Sequence, residues 1–174
     1  DLQAPIEGAP SRGSLIPRFL TGATSPKEFL DDLRGAAPRY SGFNLIVGGP
    51  RALYYFSNRG DSVPRALPSG IHGISNHLLD TPWPKLTRTK EKFGRALGAA
   101  DVDPDELFRV LADRERADHD SLPSTGLPLE WEHIVSAPFI VHERYGTRCS
   151  SVLLVERTGR TVLHERRFDS TSLQ

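Results

Sequence analysis

Apolar residues recur along the chain with two different periods, and each period predicts a different kind of element. Helical spacing predicts a first helix over residues 13–20. Ser25-Pro26-Lys27-Glu28 then supplies an N-cap, a first-turn proline and a capping acid for a second helix that ends near Gly35. Alternating apolar residues predict strands over residues 43–47 and 52–56. A helical pair followed by a strand pair is therefore expected in the first third of the chain.

The rest of the chain continues the mixture, with a third strand predicted over residues 70–74 and a long helix over residues 83–100. A second acidic cap at Asp103 predicts another helix, and a hairpin is expected over residues 150–156 and 160–168. Residues 114–147 show no convincing element except a strand at 139–141, so residues 114–138 are expected to form a mobile flap. Antiparallel strand pairs with helices between them predict an α+β layered domain, and residues 1–174 are interpreted as one domain.

Composition narrows the classes of partner. Lys plus Arg and Asp plus Glu number 22 each, which disfavours nucleic acid. No apolar run is long enough for a transmembrane segment. The single cysteine, Cys149, is interpreted as a small buried thiol in a reducing compartment, so a cytoplasmic location is expected. Because the chain has no Met and opens on a loop-like stretch, it is expected to be part of a longer protein.

Residues 70–85 concentrate glycines, histidines, an amide, a carboxylate, a Trp and a Lys between two hydrophobic elements, which is typical of the wall of a site. Asn76 is the candidate to point an amide N–H at developing negative charge. His72 and Trp83 are expected to share one hollow with it. For each histidine in this segment, packing or capping is the commoner role.

Further candidates lie outside this segment or at its end. Lys85, Arg88, Lys92 and Arg95 follow one face of the long helix and suit an anionic ligand, although a solvated face is the commoner explanation. Arg59 and Arg148 are single arginines in turn-like contexts that suit clamping an anion or capping a strand. No zinc ligand pattern is present, whereas a haem iron needs only one axial histidine.

Five segments resemble the NRDE family, also known as the transport and Golgi organization protein 2 family. They match in order and spacing over nearly the whole chain. The segments are Tyr40-Ser-Gly-Phe-Asn-Leu-Ile-Val47, Tyr55-Phe-Ser-Asn-Arg59, the segment Gly70 to Lys85, Leu122-Pro-Ser-Thr-Gly126 and Tyr145-Gly-Thr-Arg148.

The resemblance implies an Ntn-hydrolase-like αββα sandwich of antiparallel sheets that lacks its N-terminal strands in this chain. It also implies an N-terminal cysteine nucleophile outside this sequence, with Asn76 in the oxyanion hole. Gly73-Ile-Ser-Asn76 resembles the segment of the related acylases that carries this Asn.

For function, the resemblance favours intracellular haem trafficking, associated with mitochondria in a eukaryote, with an amide-cleaving hydrolase or a lipid or acyl-CoA binding protein as alternatives. No cofactor is expected to be required. Haem or a small amphipathic ligand is the expected partner, and a homodimer is left open. His72 or His77 is the candidate haem ligand. The expected ligand contacts are Arg59, His72, Ser75, His77, Asp80, Trp83, Lys85, Arg88 and Arg148.

Overall fold

Two groups of elements make up the chain in the computed structural model, which describes residues 6–49, 51–60, 62–98 and 101–169. Unit 1 comprises Asp1–Gly70 and Asn76–Leu79, and unit 2 comprises Ile71–Ser75 and Asp80–Gln174. No helix among the described residues is long and apolar enough to cross a membrane. Residues 70–85 are thus divided between the two units.

Unit 1 joins short helices to a small antiparallel sheet in which β2 is central, in the order β1-β2-β3. The capping box predicted at Ser25 is present and starts α2. The elements are a 3-10 turn (Arg12–Ser14), α1 (Leu15–Leu20), α2 (Pro26–Ala36), a 3-10 turn (Ala37–Arg39), β1 (Asn44–Gly49), β2 (Ala52–Ser57) and β3 (Arg65–Ala66).

The core of unit 1 forms where the apolar face of α2 meets the sheet. Leu30, Leu33 and Phe56 are fully enclosed, and the rings of Phe43 and Phe56 lie 5.8 Å apart. The first predicted helix is confirmed as α1, but its apolar residues are only partly buried. Leu15 is buried, whereas Ile16 and Leu20 are 57% and 72% exposed.

The strand predicted over residues 70–74 is wrong, since the third strand of the sheet is the short β3. The backbone of Gly73 explains the difference. Its N–H donates to the Asp80 carboxylate and its carbonyl accepts from the Asp80 N–H, so both groups bond within the loop and not to a neighbouring strand.

Unit 2 packs helices against a two-stranded antiparallel sheet. Its elements are α3 (Pro84–Leu97), α4 (Pro104–Leu111), a 3-10 turn (His119–Ser121), α5 (Leu129–Ile134), β4 (Cys149–Val155) and β5 (Thr161–Arg167). Its core joins α3, α4 and β4 through Ala96, Leu107, Phe108, Val110 and Val152. The predicted helices and hairpin are confirmed, although residues 99–100 of the long predicted helix lie outside the described residues. Near the end of α3, Ala96 is buried and Leu97 is 39% exposed.

Cys149 is exposed, so its interpretation as a buried thiol is wrong. Side chains alternate along β4, and Ser150 and Val152 face inward. Cys149 shares the outward phase with Leu153, which is 60% exposed.

Residues 114–138, predicted to form a mobile flap without a regular element, contain α5, and Ala117 and Ile134 are buried. The prediction of an irregular segment is therefore wrong, and its mobility stays a prediction. The strand predicted at residues 139–141 is also wrong. The N–H of Phe139 donates to the Asp113 carbonyl, and a second donor there, the N–H of Ile140, bonds to a threonine side chain.

Candidate functional site

The centre of the candidate site in unit 2 is the Asp80 carboxylate. One oxygen, Oδ2, lies 2.7 Å from His72 Nδ1. The other, Oδ1, accepts from the Lys90 ammonium at 2.7 Å and from the Gly73 N–H at 2.9 Å. The Asp80 backbone is in the left-handed region with φ of 60°, a conformation that Asp tolerates better than most residues. We call Asp80, His72 and Lys90 the Asp80 cluster.

These hydrogen bonds determine the ionisation state of the Asp80 carboxylate. Burial opposes ionisation of Asp80, but hydrogen bonds from its three donors outweigh it and lower the pKa of Asp80 from 3.8 to about 2. Near neutral pH the carboxylate is therefore an acceptor only. Nδ1 of His72 must then carry the proton in this hydrogen bond, and the lone pair lies on Nε2 when the imidazole is neutral.

Gly73 permits the loop to approach α3 closely. A Cβ atom at this position would lie 2.6 Å from Leu86 Cδ1, and Leu86 is buried. A larger residue would require either the loop or the Leu86 side chain to shift. Glycine therefore lets the Gly73 backbone, which bonds to Asp80, lie close to α3.

In unit 1, residues 77–79 are anchored to the sheet by a pair of polar side chains. Tyr55 donates its hydroxyl hydrogen to Asn44 Oδ1 at 2.7 Å and accepts the Leu79 N–H at 3.1 Å. Asn44 in turn donates to the His77 carbonyl at 2.9 Å. Asn76, immediately before this anchored stretch, is exposed. The sharing of one hollow by Asn76, His72 and Trp83 stays a prediction.

Lys85 and Trp83 lie together at the start of α3. Trp83 is the N-cap residue, and its ring centroid lies 5.7 Å from Lys85 Nζ. The same ammonium donates to the Val135 carbonyl at 2.9 Å. Burial lowers the pKa of Lys85, and the Glu132 carboxylate acts in the opposite direction. Lys85 thus ties α3 to the end of α5.

Arg88 and Lys92 belong to the basic face that suits an anionic ligand or is simply solvated, and in the structure both meet a protein carboxylate. Arg88 Nε and Lys92 Nζ lie 3.0 and 2.8 Å from Asp113 Oδ2. Burial disfavours the charge of Asp113, but hydrogen bonds from these cations and from the Glu115 N–H prevail and lower its pKa. This part of the basic face is therefore an internal ion-pair network, while Arg95 further along the helix is exposed.

The remaining candidates lie in separate places along the chain. Arg59 packs against bare backbone, because a Cβ added to Gly42 would lie 2.1 Å from Arg59 Nε. Arg148 is exposed, and its carbonyl accepts the Phe168 N–H at 2.9 Å beyond the end of the hairpin. Ser75 is partly buried in a bend of the loop.

Sequence reasoning missed Lys90 and Asp113. Lys90 lies ten residues after Asp80, and only the reversed backbone at Asp80 brings the two together. Asp113 follows α4 without any local pattern that marks it as a partner of α3. Over the residues that the structure describes, no group of three or more His, Cys, Asp or Glu could hold a metal ion.

The fold belongs to the α+β class, with antiparallel sheets and a polar cluster built around one carboxylate and one imidazole. The family model for Transport and Golgi organisation 2 matches residues 2–170, and the chain belongs to this family. The resemblance drawn from the sequence segments is confirmed at the level of the family.

Three relatives give the extent of the similarity. The Transport and Golgi organization protein 2 homolog of Bos taurus is 32% identical over 171 residues, which cover 91% of this chain and 62% of that protein. Homologues from Mus musculus and Homo sapiens are each 30% identical with the same coverage. The chain thus spans 62% of the length of the curated relatives it matches.

Proposed function

We propose that the protein binds haem as a cargo inside the cell and passes it on, with His72 as the ligand of the iron. The observation that carries this proposal is the 2.7 Å contact between His72 Nδ1 and an ionised Asp80. Metal-ligating histidines are typically oriented by a carboxylate in this way, because the second bond fixes the ring and raises the basicity of the other nitrogen.

His72 binds the haem iron through Nε2 in this proposal, because its Nδ1 is hydrogen-bonded to Asp80. A haem iron brings four nitrogens of its own and needs one side chain on its proximal side. The His72 side chain is 24% exposed, so the imidazole lies near the surface of unit 2. A ligand that arrives from solution or from another protein can reach a group in that position more easily than one in a closed core.

His72 is preferred to His77 because of its partner. Its Nδ1 lies 2.7 Å from the Asp80 carboxylate, the kind of contact that orients a metal-ligating histidine. At His77 the backbone carbonyl is tied to Asn44, which serves to anchor the loop to the sheet. The two histidines therefore form a matched pair for an experiment, since they share the loop and the same chemistry.

The test is a titration of haem into the full-length protein, followed by the Soret band, in the wild type and in the His72→Ala and His77→Ala variants. We expect His72→Ala to weaken binding by more than about tenfold and His77→Ala to change it little. Equal affinity in the wild type and in His72→Ala would remove His72 from the proposal. If the Soret band of haem does not change when the wild type is added, haem binding is contradicted.

An N-terminal-cysteine amidohydrolase is the second candidate, and the exposed Asn76 favours it. Asn76 directly precedes residues 77–79, which Asn44 and Tyr55 hold on the sheet. A side-chain amide next to a fixed backbone is suited to stabilise an oxyanion. Its nucleophile would be the cysteine that the resemblance places outside this sequence.

A screen of acyl-amide substrates tests this second candidate. It should use the full-length protein with its cysteine exposed, with and without prior alkylation of thiols. Turnover that alkylation abolishes, and that falls by about 100-fold in Asn76→Ala, would support the hydrolase. Absence of thiol-sensitive turnover would exclude it.

A further inference from the structure

The two oxygens of Asp80 serve different partners. Oδ2 faces His72 Nδ1, and Oδ1 faces the Lys90 ammonium, each at 2.7 Å. Lys90 therefore neutralises part of the carboxylate charge from the side opposite the imidazole. Its side chain is 32% exposed, so solvent reaches the ammonium without separating it from Asp80.

We propose that Lys90 is a positioning residue that limits how strongly Asp80 polarises His72. This inference rests on the proposed function. A carboxylate that bears its full charge draws the Nδ1 proton toward itself and increases the electron density on Nε2. An electron-rich imidazole stabilises ferric haem over ferrous haem. By sharing Asp80, Lys90 keeps the imidazole a moderate ligand, which suits a protein that must release its cargo.

Lys90 is set apart from the other cations of α3 by its partner. Arg88 and Lys92 both form ion pairs with a different carboxylate, that of Asp113. Arg95 is exposed on the same helix, so Arg95→Gln removes an equal charge without touching Asp80. Lys90→Arg keeps the charge and a donor and is expected to restore the behaviour of the wild type.

The experiment measures two properties of the wild type, Lys90→Gln, Lys90→Arg and Arg95→Gln in the full-length protein. The first is the reduction potential of bound haem. In Lys90→Gln we expect the ratio of ferric to ferrous affinity to rise by about tenfold, which is about 59 mV toward negative potential for one electron. The second is the His72 Nδ1–H resonance of the haem-free protein, which should move downfield in Lys90→Gln alone because its hydrogen bond to Asp80 strengthens.

The outcomes separate this inference from the proposed function. If haem binds but Lys90→Gln and Arg95→Gln have equal potentials, the role of Lys90 is overturned and haem binding stands. If haem does not bind at all, the proposed function fails. The Nδ1–H resonance then decides alone whether Lys90 modulates the hydrogen bond between His72 and Asp80. A shift confined to Lys90→Gln and reversed in Lys90→Arg supports the coupling, and its absence overturns it.

Discussion

Replacing Asp80 by asparagine tests whether the Asp80 cluster holds its loop through charge. Asn has almost the same shape as Asp and also tolerates the positive φ of 60° at this position, so the substitution removes charge with little backbone strain. The fall of the pKa of Asp80 from 3.8 to about 2 corresponds to about 2.4 kcal/mol at about 1.36 kcal/mol per pH unit. Because the side chain is 32% exposed, solvent screening reduces the expected loss to about 1–2 kcal/mol.

The pH dependence of this loss has a definite sign. The pKa of Asp80 is lower in the folded than in the unfolded chain, so ionised Asp80 stabilises the fold at every pH above about 4. That contribution diminishes as the pH falls from about 4 to about 2. The difference in stability between the wild type and Asp80→Asn should therefore be full at neutral pH and smaller in acid.

Urea unfolding followed by circular dichroism, at about pH 7 and about pH 3, measures this difference directly. Asp31→Asn is the control, since it removes only an exposed ion pair with Lys27 on α2 and should have a much smaller effect. A difference that is the same at both pH values would refute the electrostatic reasoning. So would an Asp80→Asn variant that is as stable as the wild type near neutral pH.

Two matched pairs of substitutions and one chemical label test the fold. Gly48→Ala should destabilise unit 1 by about 2 kcal/mol or more, because its Cβ would lie 2.2 Å from a carbonyl oxygen of β2. Gly49→Ala meets nothing within 4 Å and should change the unfolding midpoint little, and equal effects would contradict the geometry. In the hairpin, Val152 is 6% exposed and Leu153 is 60% exposed. Val152→Ala should therefore lower the free energy of unfolding by about 1–3 kcal/mol and Leu153→Ala by less than about 0.5 kcal/mol. The opposite order in thermal unfolding would contradict this assignment of the two faces. Cys149 should react with a thiol reagent in the folded protein at a rate close to that in urea, and strong protection would show that this face of β4 is covered.

The sequence predicts best those elements whose signals are local. The capping box at Ser25 forms from four adjacent residues, and it fixes the start of α2 without help from the rest of the chain. The hairpin of β4 and β5 is likewise predicted by two apolar runs around Gly159, which adopts a positive φ of 88°.

The errors have tertiary causes. Cys149-Ser-Ser-Val-Leu-Leu-Val155 has apolar residues in both phases, so the run alone does not decide which face is buried; packing against α4 selects Val152 and leaves Cys149 outside. Helix α5 was missed because it has only six residues and buries a charged one. Glu132 is 4% exposed and accepts both donors of Thr125, a compensation that no periodicity displays.

The candidate site was likewise predicted only in part from the sequence. Its density of special residues marked residues 70–85 as important, and the structure brings His72 to Asp80 and Trp83 to Lys85. The cationic partner of Asp80 lies on the next helix and depends on the backbone reversal at Asp80 itself. Such a contact follows from the path of the chain and not from the spacing of residues.

The central claim is that a carboxylate-held His72 binds the haem iron. The most direct measurement is the resonance Raman spectrum of the ferrous, haem-loaded full-length protein, in which the iron–imidazole stretching band reports both the ligand and the hydrogen bond at Nδ1. The account predicts that this band is present in the wild type, shifts to lower frequency in Asp80→Asn and is lost in His72→Ala. A band that persists unchanged in His72→Ala would contradict it.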